Sequence, residues 1–272
     1  MMADDKENLR AVWDGKIPVC FTLATDEVFT AEQPEPMFLM LPRVSYLPLV
    51  TDKVNRHFIR YVDPDDHGEM WLEDEGQPLK WHNPIGVLFD MAEAESRLPW
   101  TLTVHFQRFP EDELFHCSSK EVVESYFMSM VKEADCLKHN SRIIGNMQKR
   151  DHKQLWLGLQ NDKFEQFWFV NRKLMVHSEG EMFRHIPFRI HWGDRHFIQK
   201  LIKPVSADGN AVTLGDLLRE TVPEILPKED SDASSHRVII QGCVLPPEVP
   251  LQWLSEHLSH PDNFLHICVL SA

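Results

Sequence analysis

Residues 118–177 carry apolar side chains at helical spacing, while short β-rich runs broken by glycine, proline and aspartate stand on either side. A three-to-four residue period and a two-residue period cannot share one element, so this alternation demands a helix-rich unit between two sheet-forming ones. The clearest helix is Ser118–Asn140. Ser118 and Glu121 have the spacing of a capping box, in which the two side chains satisfy free N–H groups of the first turn. At about 100° per residue, Val123, Phe127, Met130, Ala134 and Leu137 share a stripe about 60° wide, which must face a core. Lys132 lies nearly opposite that stripe, and its helical neighbours Ser125, Ser129 and Cys136 are small. Its ammonium therefore stands in a clearing, although a solvated surface charge is the ordinary role of such a lysine.

The flanking segments share one order of elements. In the first, strands are predicted at Ile17–Leu23 and Pro36–Leu41, followed by a helix through Val50, Val54, Phe58 and Tyr61. A strand at Met70–Glu73, a turn at Gly76-Gln77-Pro78, a strand at Leu79–His82, a helical turn from Pro84 through Phe89 and a last strand at Trp100–Phe106 complete the grammar of a ubiquitin-like β-grasp. In the second, strands at His185–His191 and His196–Pro204 flank a Gly193-Asp194 turn, and a helix starts from a Thr213 cap. The polar run Lys228–Ser235 reads as a loop, Arg237–Cys243 as a strand, Pro250 with Leu251, Leu254 and Leu258 as a helical turn, and Phe264–Leu270 as the closing strand. Between them, Phe164, Phe167, Trp168 and Leu174 continue an aromatic helix face after a break near Gly158. At the start, Asp4 and Glu7 have capping-box spacing, Leu9, Val12 and Trp13 make one apolar face, and Gly15 ends the turn. So short a helix is marginal alone and must dock, on the body or on a partner. The expected fold is α+β: an N-terminal helix (1–15), a ubiquitin-like domain (16–107), a helix-rich domain (118–178) and a second ubiquitin-like domain (184–272).

Charge and composition narrow the function. A net charge of −14 argues against nucleic acid as the main partner, because phosphate binding needs a basic footprint. The middle of the chain is locally positive, and Lys138, Arg142, Lys149, Arg150 and Lys153 form a candidate membrane-facing patch. Five cysteines without a CxxC pair point to a reducing compartment. Apolar runs fall short of a membrane span, so any membrane contact is expected to be peripheral. Cys136 with His139 and His257 with His260 are only pairs, so neither a metal nor another cofactor is expected. Nucleophile-elbow, phosphate-loop and dinucleotide motifs are missing from the sequence. Cys20, Cys243 and Cys268 read as small core residues, which leaves Cys136 or Cys117 as the nucleophile of an alternative cysteine-hydrolase reading.

The string Phe127-Met128-Ser129-Met130-Val131-Lys132-Glu133-Ala134-Asp135-Cys136-Leu137-Lys138-His139 resembles a segment of the autophagy protein 5 family. Ser45-Tyr46-Leu47, Leu79-Lys80-Trp81-His82, Leu98-Pro99-Trp100, Asp151–Trp156, Gly158–Asp162, Asn171–Met175, Leu251–Leu258 and Pro261–Ile267 extend the resemblance over almost the whole chain. Val131 stands where the family leads one to expect methionine, and segments 55–70 and 206–240 diverge. The resemblance implies two ubiquitin-like domains around a helix-rich one. It further implies that Lys132 forms an isopeptide bond with the C-terminal glycine of the ubiquitin-like autophagy protein 12, delivered by the conjugating enzymes of that system. With the amphipathic helix of autophagy protein 16, seated in a groove that includes Leu9, Val12 and Trp13, the conjugate would act like a ligase. Its product would be autophagy protein 8 attached to phosphatidylethanolamine, and its place the cytoplasm and the preautophagosomal membrane. A ubiquitin-like scaffold that binds partners only non-covalently is the second alternative.

Overall fold

The computed structural model describes residues 6–175, 182–193, 197–225 and 236–271. Along them run α1 (Lys6–Asp14), β1 (Lys16–Leu23), β2 (Met37–Pro42), α2 (Leu47–Val50), α3 (Asp52–Phe58), β3 (Trp71–Asp74), β4 (Gln77–Pro78), α4 (Ile85–Met91), β5 (Trp100–His105) and α5 (Lys120–His139). Then follow α6 (Arg142–Gly145), α7 (Lys149–Gln160), α8 (Phe164–Met175), β6 (Phe188–Trp192), α9 (Leu214–Thr221), β7 (His236–Ile240), β8 (Cys243–Val244), α10 (Leu251–Leu258) and β9 (Leu265–Ser271). The chain divides into two compact units: residues 14–126, and residues up to Trp13 together with those from Phe127 onward.

In the unit 14–126, the sheet order is β2-β1-β5-β3-β4. β1 is parallel to β5, with Val19 opposite Trp100 and Leu23 opposite Val104, and the other neighbours are antiparallel. Alternation explains why β1 forms: Ile17, Val19, Phe21 and Leu23 all point into the core, as do Trp100, Leu102 and Val104 of β5. Val54 and Phe58 from α3 and Leu88 and Phe89 from α4 close over them. Each such side chain contributes about 1.5–3 kcal/mol on leaving water. Glu27 is buried yet satisfied, because its carboxylate accepts the N–H groups of Phe106 (2.6 Å) and Gln107 (3.2 Å) just past β5. The predicted fourth strand at Leu79–His82 is instead β4, Gln77–Pro78. Glu75 and Gly76 take the turn with φ of 48° and 86°, so pairing resumes two residues earlier and Gln77 lies opposite Asp74.

In the other unit the sheet order is β6-β9-β7-β8, with β6 and β9 parallel. Phe188 and Ile190 of β6, Ile267 and Val269 of β9, Leu217 of α9 and Leu254 of α10 share its core. The Thr213 cap is present: Thr213 Oγ1 accepts the Asp216 N–H, and Asp216 accepts the Thr213 N–H in return. The strand expected at His196–Pro204 is reduced, among the described residues, to one bridge between Ile190 and Ile198 and a bond from Ile186 N–H to the Ile202 carbonyl. Pro187 and Pro204 have no N–H with which to complete a ladder. Cys243, expected in the core, is exposed on the two-residue edge strand β8. The break expected near Gly158 comes at residues 161–163, between α7 and α8; α7 runs through Gly158, and a Cβ there would come within 2.6 Å of the Phe167 backbone nitrogen in α8. The glycine is what lets two helices approach so closely. Asp4, Glu179-Gly180-Glu181, Asp194, His196 and the loop Lys228–Ser235 lie outside the described residues.

Candidate functional site

The middle of α5 bears the candidate acceptor. Val123, Phe127, Val131 and Ala134 are fully buried, while Met130 and Leu137 are half-buried at the margins of the same stripe. The helix begins at Lys120, so Ser119 rather than Ser118 precedes it, and a hydrogen bond from Ser119 holds the Glu121 carboxyl below its usual range. Lys132 is exposed, and so are Ser125, Ser129 and Cys136 around it. The exposed residues on the turns before and after it, Ser125, Ser129 and Cys136, are all small.

The two carboxylates nearest Lys132 in sequence are both engaged elsewhere. Glu133 Oε1 accepts from Gln199 Nε2 at 2.8 Å, and Glu133 Oε2 lies 3.5 Å from an Arg189 guanidinium nitrogen. Arg189 is buried, donates through Nε to Gln199 Oε1 at 3.3 Å, and its guanidinium lies 4.2 Å from the centre of the Phe197 ring and 4.4 Å from that of Phe264. Asp135 is 1% exposed and accepts the Ile144 N–H at 2.9 Å. Sequence reasoning missed Arg189 and Gln199, since nothing local connects them to a helix more than 50 residues upstream.

Lys138 must be withdrawn from the membrane-facing patch. Its side chain is sealed inside, with Nζ 3.1 Å from Met175 Sδ and 4.7 Å from the centre of the Phe183 ring. Burial pushes its pKa down to about 7, against the opposing pull of Glu256, Asp135 and Asp262. Arg142, Lys149, Arg150 and Lys153 are exposed.

Trp13 is turned inward rather than outward. Its indole N–H donates to Asp162 Oδ1 at 2.8 Å and its ring packs on Phe164 and Phe167, while Lys6 pairs with Glu165. The apolar face of α1 is thus used within the chain, Leu9 and Val12 being half-buried. Of the candidate nucleophiles, Cys117 lines a cavity of about 240 Å³, and burial pushes its thiol up to about 11, away from the thiolate that attack requires. Cys136 is exposed, and His139 turns instead to the Leu174 carbonyl at 3.1 Å. Among the described residues no group of three or more His, Cys, Asp and Glu side chains is arranged to hold a metal ion, and no helix is long and apolar enough to cross a membrane.

Comparison with known proteins covers nearly the whole chain. Three family models match in order: "Autophagy protein ATG5, UblA domain" over residues 12–106, "Autophagy protein ATG5, alpha-helical bundle region" over 120–177, and "Autophagy protein ATG5, UblB domain" over 185–269. Autophagy protein 5 of Drosophila melanogaster is 48% identical, with 98% of each chain covered. Autophagy-related protein 5 of Caenorhabditis elegans is 37% identical at the same coverage. The crystal structure of Kluyveromyces marxianus Atg5 has the same fold, with a TM-score of 0.80 at 20% identity over 97% of this chain and 99% of that one. The architecture is therefore α+β, with a short N-terminal helix and two ubiquitin-like domains on either side of a helical bundle in the sequence. Its ubiquitin-like domains and relatives support a non-catalytic scaffold role in autophagy. From models matched end to end and relatives this similar, the conclusion is that the chain belongs to the autophagy protein 5 family.

Proposed function

We propose that this chain is the acceptor in a ubiquitin-like conjugation, joined through Lys132 to the C-terminal glycine of autophagy protein 12. The observation that carries the reading is the exposure of Lys132 on a 20-residue helix with its three small neighbours also at the surface. A base of the conjugating enzyme takes the first proton from the ammonium. The amine nitrogen then attacks the thioester carbonyl carbon, a C–N bond forms, the C–S bond breaks, and the departing thiolate leaves with a second proton from nitrogen. The acceptor needs only to supply a reachable amine on a rigid support.

The conjugate, joined by the amphipathic helix of autophagy protein 16, then acts like a ligase and promotes attachment of autophagy protein 8 to phosphatidylethanolamine. The protein works in the cytoplasm and is recruited to the preautophagosomal membrane. Arg142, Lys149, Arg150 and Lys153 are the exposed cations available to an anionic bilayer, each contributing about 1 kcal/mol near such a surface. A denaturing gel of wild type and Lys132→Arg from cells with the conjugation machinery tests the central step. A heavier band is expected for wild type alone; the same band from both proteins removes Lys132 from the reaction.

A further inference from the structure

The cavity of about 240 Å³ beside Cys117 lies wholly within the unit 14–126. Leu47, Leu72, Leu79 and Leu114, all buried, are among its lining residues, and the exposed Asp52, Ser118 and Ser119 show that it opens to solvent. Trp71 and Trp81 form part of its wall and both are fixed. The Trp71 indole N–H donates to the Gln107 carbonyl at 2.9 Å and its ring stacks on His105 at 4.0 Å, while the Trp81 indole N–H donates to the Phe115 carbonyl at 2.6 Å. The segment from Gln107 to Ser119 is pinned as well: Glu69 accepts the Cys117 N–H at 2.6 Å, and His116 lies between the Glu69 and Glu111 carboxylates at 2.9 and 3.0 Å. Walls held in this way lose little freedom when the cavity fills. Its volume is below the range of about 300–1,000 Å³ for drug-sized ligands and on the scale of one bulky side chain.

Charge narrows what that side chain belongs to. Residues 14–126 hold 21 Asp and Glu against nine Lys and Arg, so nearly all of the chain's net charge of −14 sits in this unit. The two segments that flank the cavity, 61–79 and 109–119, contain ten Asp and Glu and no Lys or Arg. They run side by side, since Gly68 N–H donates to the Phe106 carbonyl at 2.6 Å and Gln107 Nε2 to the Asp66 carbonyl at 2.8 Å. Asp65, Asp66, Glu111, Asp112 and Glu113 are all exposed there. Lys120, the one cation among the lining residues, is drawn onto Asp52 at 2.6 Å, and neighbouring Arg108 onto Asp26.

We propose that this cavity is a docking site for a basic segment of a partner protein, which inserts one aromatic side chain and sets lysines or arginines on either side of it against the acidic rim. A buried aromatic anchor in a preformed cavity is where interface energy concentrates, and the rim charges speed encounter and reject acidic partners. The site stands apart from Lys132 and does not depend on its being the acceptor.

The test titrates the full chain into a fluorescein-labelled synthetic peptide with blocked ends and one central tryptophan between pairs of lysines. Anisotropy is expected to saturate below about 100 µM protein. Alanine in place of the peptide's tryptophan is expected to weaken binding about tenfold. In the protein, Ser118→Trp fills the opening from an exposed position and should also cost about tenfold. Asp112→Lys with Glu113→Lys, two exposed changes on the rim, should cost about fivefold at low salt. In heteronuclear NMR spectra the indole N–H signals of Trp71 and Trp81 are expected to move on binding, and that of Trp13, in the other unit, to stay. Failure to saturate, equal affinity for the alanine peptide, undiminished binding by Ser118→Trp, or unmoved Trp71 and Trp81 signals overturns the proposal and leaves an acidic surface that gathers cations without a seat for the ring.

Discussion

Replacing Lys138 by methionine tests the most unexpected side chain in the molecule. The lysine is buried against Met175 and Phe183, and its pKa falls from 10.5 to about 7, chiefly through burial. An unfolded chain keeps this proton up to about pH 10.5, whereas the folded chain gives it up near 7. Between those values the unfolded state binds more protons, so this group makes stability rise with pH, and the contribution levels off below about 7, where both states are charged. At about 1.36 kcal/mol per pH unit, the window spans about 5 kcal/mol, of which about 2–2.5 kcal/mol falls between pH 7 and 9. Methionine fills a similar volume without a charge. Urea unfolding of wild type and Lys138→Met across pH 6.5–9 should show the variant ahead at the acid end, with the gap narrowing by about 2 kcal/mol toward pH 9. Parallel stability curves over that range would refute the burial argument.

Two further substitutions probe the helical packing. Gly158→Ala puts a Cβ 2.6 Å from the Phe167 backbone nitrogen; it should cost about 3 kcal/mol or more in chemical unfolding, although alanine is the better helix former. Trp13→Phe keeps an aromatic ring on Phe164 and Phe167 but loses the N–H bond to Asp162. A cost of about 1–2 kcal/mol is expected to appear as faster amide exchange within α1, and unchanged exchange there would mean that the indole bond does not hold the helix down.

Much of the fold was legible because its causes are local. Alternation marked Ile17 through Leu23, Thr213 announced its helix, and Pro250 opened α10 where expected. Residue type misleads where position decides. Lys138 follows Val131 and Ala134 at seven and four residues, on the buried side of the helix, although lysine as a type points outward. The break expected near Gly158 falls at residues 161–163, between α7 and α8, because Gly158 itself serves the close approach of the two helices. The Arg189–Gln199–Glu133 arrangement was out of reach for a different reason. It depends on a β6 side chain, a residue beyond the next turn and a helix converging in three dimensions, which no periodicity encodes. Lys132 itself was readable as outward-facing, whereas the docking of Trp13 needed the Asp162 position to be known.

The indole bond of Trp13 joins residues 149 apart in sequence. During synthesis the first helix therefore emerges long before its docking site exists, and residues 14–126, a unit with its own core, can fold in the interval. Only after α8 begins does α1 find its seat, closing a loop whose entropic cost grows slowly with length. Anything appended near Trp13 would thus be felt late in folding, at the step where the two ends of an interrupted unit are brought together.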